Sequence, residues 1–98
     1  IIERFTKELN AKVDSLFFRR MRTRWGSCSS RGNITVNTLL RFLPDEYIEY
    51  ILFHELAHRV NRRHDKGFHE IMQRKFEDPK KMDENLFAYW VLLKAYSL

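Results

Sequence analysis

The segment His54-Glu55-Leu56-Ala57-His58 is the part of this sequence best equipped for chemistry. All four histidines of the chain fall within residues 54–69, a bunching that histidines scattered for packing would rarely show. At ~100° per residue, positions four apart on an α-helix lie about 40° apart around its axis, one turn above the other. The imidazoles of His54 and His58 can then reach one Zn²⁺ at the usual ~2.0–2.1 Å. Glu55 is rotated about 100° from His54, off the ligand face but within reach of a water on the ion. This is the logic of the HExxH motif: two histidine ligands and a general base for hydrolysis. The spacing predicts one zinc ion held by His54 and His58. Glu55 would take a proton from water and deliver it to a leaving amine.

A catalytic zinc site normally has three protein ligands and one position for water. His64, ten residues after His54, is the leading third ligand and gives the spacing HExxHxxxxxH. His69 is the alternative, because it falls in the next helical stretch and can also face inward. Glu70 and Glu77 are weaker rivals from the same region. Packing beside Phe68 and Met72 is the favoured reading of His69.

The flanking pattern says what must hold these residues. Ile2, Phe5, Leu9, Val13 and Leu16 keep helical spacing over residues 1–16. Residues 16–21 and 24–29 read as extended segments, the turn signal Ser30-Arg31-Gly32-Asn33 follows, and 33–40 reads as a third strand. Pro44 suits a first helical position, with Asp45 and Glu46 favourably placed in the first turn. That helix should carry the histidine pair as far as Val60, with Asn61 as a left-handed stop. Asp65 would cap a further helix through Phe76, and Asp83 or Glu84 would open a last one reaching Tyr96. The expected fold class is α+β: a small antiparallel three-stranded sheet packed on the histidine-bearing helix, with flanking N- and C-terminal helices, as one domain over 1–98.

Composition agrees with a folded domain. The 98 residues are 44% hydrophobic and include eight Phe, four Tyr and two Trp, enough to build a core. A single cysteine, Cys28, rules out an intramolecular disulfide. No apolar stretch approaches the ~18 residues of a membrane span and no leader pattern opens the chain, so the expected location is cytoplasmic. The net charge of +5 includes two basic clusters, Arg19, Arg20, Arg22 and Arg24, then Arg59, Arg62, Arg63 and Lys66. These keep a nucleic-acid-associated module with structural zinc open as an alternative. A metal-dependent nucleotide phosphohydrolase is the other rival.

The residues Arg24-Trp25-Gly26-Ser27-Cys28-Ser29, then Gly32-Asn33-Ile34-Thr35-Val36-Asn37, the HELAH segment and His64-x-x-x-Phe68 resemble the YgjP-like metallopeptidase family. They are more distantly similar to the WLM and SprT proteases, and the chain's size is similar to that of the minigluzincins. The resemblance is specific over residues 17–76 and looser outside them. It implies a zincin-like fold, zinc ligands at His54, His58 and His64, a catalytic Glu55, and the Trp25–Cys28 segment in the sheet near the cleft. One departure concerns His69, which stands where the family commonly has Trp. The minigluzincin likeness points instead to a third ligand from a later helix.

An exposed sheet edge beside zinc can hold an extended peptide by strand addition. Trp25, Gly26, Ser27 and Cys28 are the candidate substrate-binding residues on that reading. Cys28 reads chiefly as a small buried residue and secondarily as an inhibitory metal ligand. Tyr47, Tyr50, Tyr89 and Tyr96 could each donate to a developing oxyanion, and spacing selects none. The last helix carries Leu86, Phe87, Tyr89, Trp90, Val91, Leu92, Leu93 and Tyr96, apolar on nearly every side. It should pack on the core, with self-inhibition or homodimerisation through this tail as the other possibilities; a monomer or a homodimer acting on peptide or protein substrates is expected.

Overall fold

A central helix, packed against the sheet and the other three helices, organises this domain. The structure, a computed structural model, describes residues 2–61 and 66–96. In chain order they form α1 (Ile2–Leu9), β1 (Ser15–Arg19), β2 (Gly26–Cys28), β3 (Asn33–Asn37), a 3₁₀ turn (Thr38–Phe42), α2 (Asp45–Val60), α3 (Lys66–Lys75) and α4 (Pro79–Tyr96). The α+β class and the three strands are as expected.

α1 is shorter than its apolar spacing suggested. Asn10 takes a left-handed φ of 53°. The Ala11 amide donates to the Thr6 carbonyl at 2.9 Å and the Asn10 amide to the Lys7 carbonyl at 3.3 Å. These bonds form a Schellman stop, which an asparagine can adopt at low steric cost. Val13 and Leu16 still pack against the core, but from the loop and from β1.

The sheet order is β1-β3-β2, with β3 in the middle. β2 and β3 form the expected antiparallel pair, with Ser27 opposite Thr35. β1, however, runs parallel to β3, pairing Leu16 with Ile34 and Phe18 with Val36. The sheet is therefore mixed rather than antiparallel throughout. Residues 20–25 carry the chain from one edge across to the other, and a buried side chain supports that crossing. Asn37 is 0% exposed. Its Nδ2 donates to the carbonyls of Met21 and Arg24, both at 2.9 Å, and its Oδ1 accepts from the Leu39 amide at 3.0 Å. Its own amide donates to the Trp25 carbonyl at 2.7 Å. The last of those side-chain bonds also starts the 3₁₀ turn, so β3 ends at Asn37 rather than running to Leu40.

The turn into β3 needs its glycine. Gly32 has a φ of 90°, and a Cβ there would lie 3.0 Å from the Arg59 Nε. Arg59 donates to the carbonyls of Lys12 at 2.9 Å and Ser30 at 3.2 Å. It ties the last turn of α2 to the loops that lead into β1 and β3.

α2 is preceded by Pro44, which occupies the capping position rather than the first helical one. Phe53, Leu56 and Ala57 are each 2% exposed or less, and Phe5 of α1 meets Phe53 edge to face at 5.2 Å. α2 ends with Asn61 extended, at φ −138°, and not left-handed as expected. With that extended backbone, Asn61 itself makes no reversal. α4 begins at Pro79, earlier than Asp83 or Glu84. The Asp78 carboxylate accepts from the Lys81 amide at 3.1 Å, and Pro79 sits where a missing N–H costs nothing. Leu86 of α4 is buried, whereas Phe87, Val91 and Leu92 face outward. Among the described residues no helix is long and apolar enough to cross a membrane.

Candidate metal centre and cleft

His54 and His58 stand side by side, one turn apart on α2. Their Nε2 atoms approach to 3.2 Å, with ring planes 75° apart. Two nitrogens each ~2.0–2.1 Å from a tetrahedral zinc ion lie roughly 3.3–3.4 Å apart, so the pair is already at ligand spacing. Phe68, 2% exposed on α3, sets both rings. It stacks on His58 at 4.4 Å and 17°, and meets His54 edge-on at 5.1 Å. The HExxH helix alone does not orient its imidazoles; a neighbouring helix supplies the surface they rest on.

The third ligand is a separate matter. His64 lies outside the described residues. His69 is on the exposed side of α3, its ring 5.9 Å from that of Phe68. Among the described residues no three His, Cys, Asp or Glu side chains gather into a group able to hold a metal, so the structure brings neither His69 nor Glu70 nor Glu77 to the pair.

Glu55 is 7% exposed and faces the sheet. A Cβ on Gly26 would lie 3.1 Å from the Glu55 Cγ, 3.3 Å from its Cδ and 3.0 Å from the Thr35 carbonyl oxygen. The glycine of the Trp25-Gly26-Ser27-Cys28 segment therefore makes room for the carboxylate. Burial pushes the Glu55 carboxyl up from 4.5 to about 7, against an opposing pull from the Arg24 guanidinium. A carboxylate poised near neutrality suits a group that must both accept and return a proton.

This shift predicts a pH dependence for the metal-free protein. A carboxyl raised on folding lends stability that is complete below about pH 4.5 and disappears as pH climbs through about 7. A shift of that size corresponds to about 3 kcal/mol. Urea midpoints of metal-free wild type and Glu55→Gln should diverge as pH rises, wild type losing ground by up to that amount. Parallel pH profiles for the two proteins would contradict the burial described here.

β2 is an edge strand, as the peptide-binding reading required. Gly26 and Cys28 pair with the buried residues Val36 and Ile34, and Ser27 with Thr35. Gly26, Ser27 and Cys28 line a cavity of about 400 Å³ together with Arg24, Glu55 and both histidines. The Cys28 Sγ lies 3.5 Å from the Ser29 carbonyl oxygen. A second cavity, about 430 Å³, opens on the α4 side of His54 and Glu55. Trp25 forms part of its wall and meets Trp90 of α4 edge to face at 4.9 Å.

Several roles at the site were not readable from the sequence, where Tyr50 was only one of four tyrosines able to donate to an oxyanion. Tyr50 donates to the Asp83 carboxylate at 2.7 Å. Burial, then this bond, hold its phenol protonated well above the usual tyrosine range. Tyr50 thereby ties α2 to α4 beside the cleft. Phe68 and Asn37 were likewise invisible, because their roles depend on contacts between elements. Of the basic clusters, Arg24 alone lines both cavities, Arg59 is committed to backbone carbonyls, and Arg62 and Arg63 lie outside the described residues.

Residues 1–89 match a family described as "YgjP-like, metallopeptidase domain". Two solved structures are similar to the fold. The metallopeptidase zymogen abylysin of Pyrococcus abyssi is 22% identical, with a TM-score of 0.79 and 90% of each chain covered. The metallopeptidase zymogen jannalysin of Methanocaldococcus jannaschii is 17% identical, with a TM-score of 0.78, covering 90% of this chain and 91% of the other. No curated protein matches the sequence.

Proposed function

This chain belongs to the YgjP-like metallopeptidase family, and on that premise we propose that it is a zinc-dependent endopeptidase with Glu55 as general base. The observation that carries the reading is the pair of Nε2 atoms 3.2 Å apart beside a buried carboxylate. His54 and His58 would hold one zinc ion, with His64 completing the set by its spacing. Zinc in such a site lowers the pKa of water from ~15.7 toward ~7 and polarises a carbonyl oxygen. Glu55 would take the proton released as water adds to the scissile carbonyl carbon, then pass it to the nitrogen as the C–N bond breaks. The edge strand β2 would align an extended peptide by strand addition along its outer side.

A latent form also belongs to this proposal. The two similar solved structures are described as zymogens. Here Asp83, Leu86, Phe87 and Trp90 of α4 wall one side of the cleft, which supports the C-terminal segment as the restraining element. Leu86 is also core, so removing the whole helix would cost the fold.

The direct test is metal analysis with casein cleavage on wild type, His64→Ala and His69→Ala. His64→Ala should lose zinc and activity together, while His69→Ala keeps both. Full zinc content in His64→Ala would end the ligand assignment. Cleavage without dependence on added or bound zinc would end the mechanism.

A further inference from the structure

The cavity on the α4 side differs in character from the one over β2. Leu86 and Ile51 form its floor, 5% and 4% exposed, and the edge-to-face pair Trp25 and Trp90 stands beside them. Phe87 at its rim is 69% exposed, a large apolar surface that no described contact covers. The acid in its wall, Asp83, is already engaged by the Tyr50 hydroxyl. His54 and Glu55 complete the lining, so the cavity is continuous with the reacting centre.

From this arrangement we infer that the Trp25–Trp90–Phe87 cavity is a specificity pocket that admits a large apolar side chain, aromatic or leucine-like, of a substrate residue adjoining the scissile bond. The inference rests on the peptidase reading above. Side chains of an extended peptide alternate in direction. A peptide laid along β2 would therefore send one residue toward the apolar cavity and its neighbour elsewhere. The volume, about 430 Å³, lies in the range of small-molecule pockets, so an alanine methyl would leave most of it empty. Covering Phe87 and filling the cavity beside the paired indoles removes apolar area from water, the chief source of affinity available there.

The two tryptophans of the chain are both in this wall, so intrinsic fluorescence reports the pocket alone. The test titrates Glu55→Gln protein, which does not turn substrate over, with blocked tripeptides Ala-Phe-Ala, Ala-Leu-Ala, Ala-Ala-Ala and Ala-Asp-Ala, exciting tryptophan selectively. The Phe and Leu peptides should bind ~10–100-fold more tightly than the Ala peptide, with the Asp peptide weakest. Phe87→Asp, at an exposed position that can be changed without disturbing the core, should shrink the Phe-to-Ala ratio severalfold. Equal affinities, or no fluorescence response to any peptide, would overturn the inference. A spectrum that changes with protein concentration before peptide is added would overturn it too, placing a second copy in the pocket. The peptidase reading fails separately, if Phe-peptide binding is selective yet zinc-loaded wild type cleaves nothing.

Discussion

Glu55→Gln should lower kcat by about 10²–10⁴-fold while leaving zinc content unchanged. The substitution keeps the size of the side chain and removes its ability to take a proton. Its neighbours allow the exchange: Gly26 leaves room on the sheet side, and the carboxylate is not a member of the histidine pair. Metal analysis and casein cleavage on the same preparation check both halves. If zinc is lost along with activity, Glu55 helps hold the ion and its assignment as base is wrong. If activity survives within a few fold, another group moves the proton.

Asn37→Ala should destabilise the fold by about 3 kcal/mol or more, a large share of the ~5–15 kcal/mol that holds a domain together. The alanine would leave the carbonyls of Met21 and Arg24 and the amide of Leu39 without the partner they now have. Each stranded buried group costs ~1–3 kcal/mol. Asn37→Asp is the sharper variant, because it keeps the shape and the Leu39 bond but turns an oxygen toward two carbonyl oxygens. An aspartate there is held away from its ionised form, so the variant should be stable at low pH and lose stability as pH rises. Denaturant midpoints at pH 4 and pH 8 decide it. A midpoint for Asn37→Asp independent of pH would show that Asn37 is not the support of the crossing chain.

The side-by-side placement of the histidine pair was legible because it is local. Four residues of one helix fix the relation of His54 to His58, whatever the rest of the chain does. The starts and stops of helices were legible only where one residue decided them. Asn10 ended α1 by its own conformational tolerance, but the apolar spacing beyond it pointed the other way. Asn61 carried the same signal and did not use it, since its own backbone is extended. Asp78-Pro79 opened α4 with a pairing of cap and first residue that the later acids masked. The direction of β1 was not legible at all. Parallel pairing depends on where residues 20–25 cross, and that path is held by Asn37 from twelve or more residues away. Phe68 escaped for the same reason: an aromatic on a helix reads as core, and only the packed structure shows which rings it braces.

The Arg59 clamp has a bearing on how the ion arrives. This residue follows His58 directly, and its guanidinium grips Lys12 and Ser30 through backbone oxygens. The histidine-bearing turn is thereby fastened to the body of the protein by bonds that involve no metal. The position of this turn against the loops that lead into β1 and β3 therefore does not depend on a bound ion.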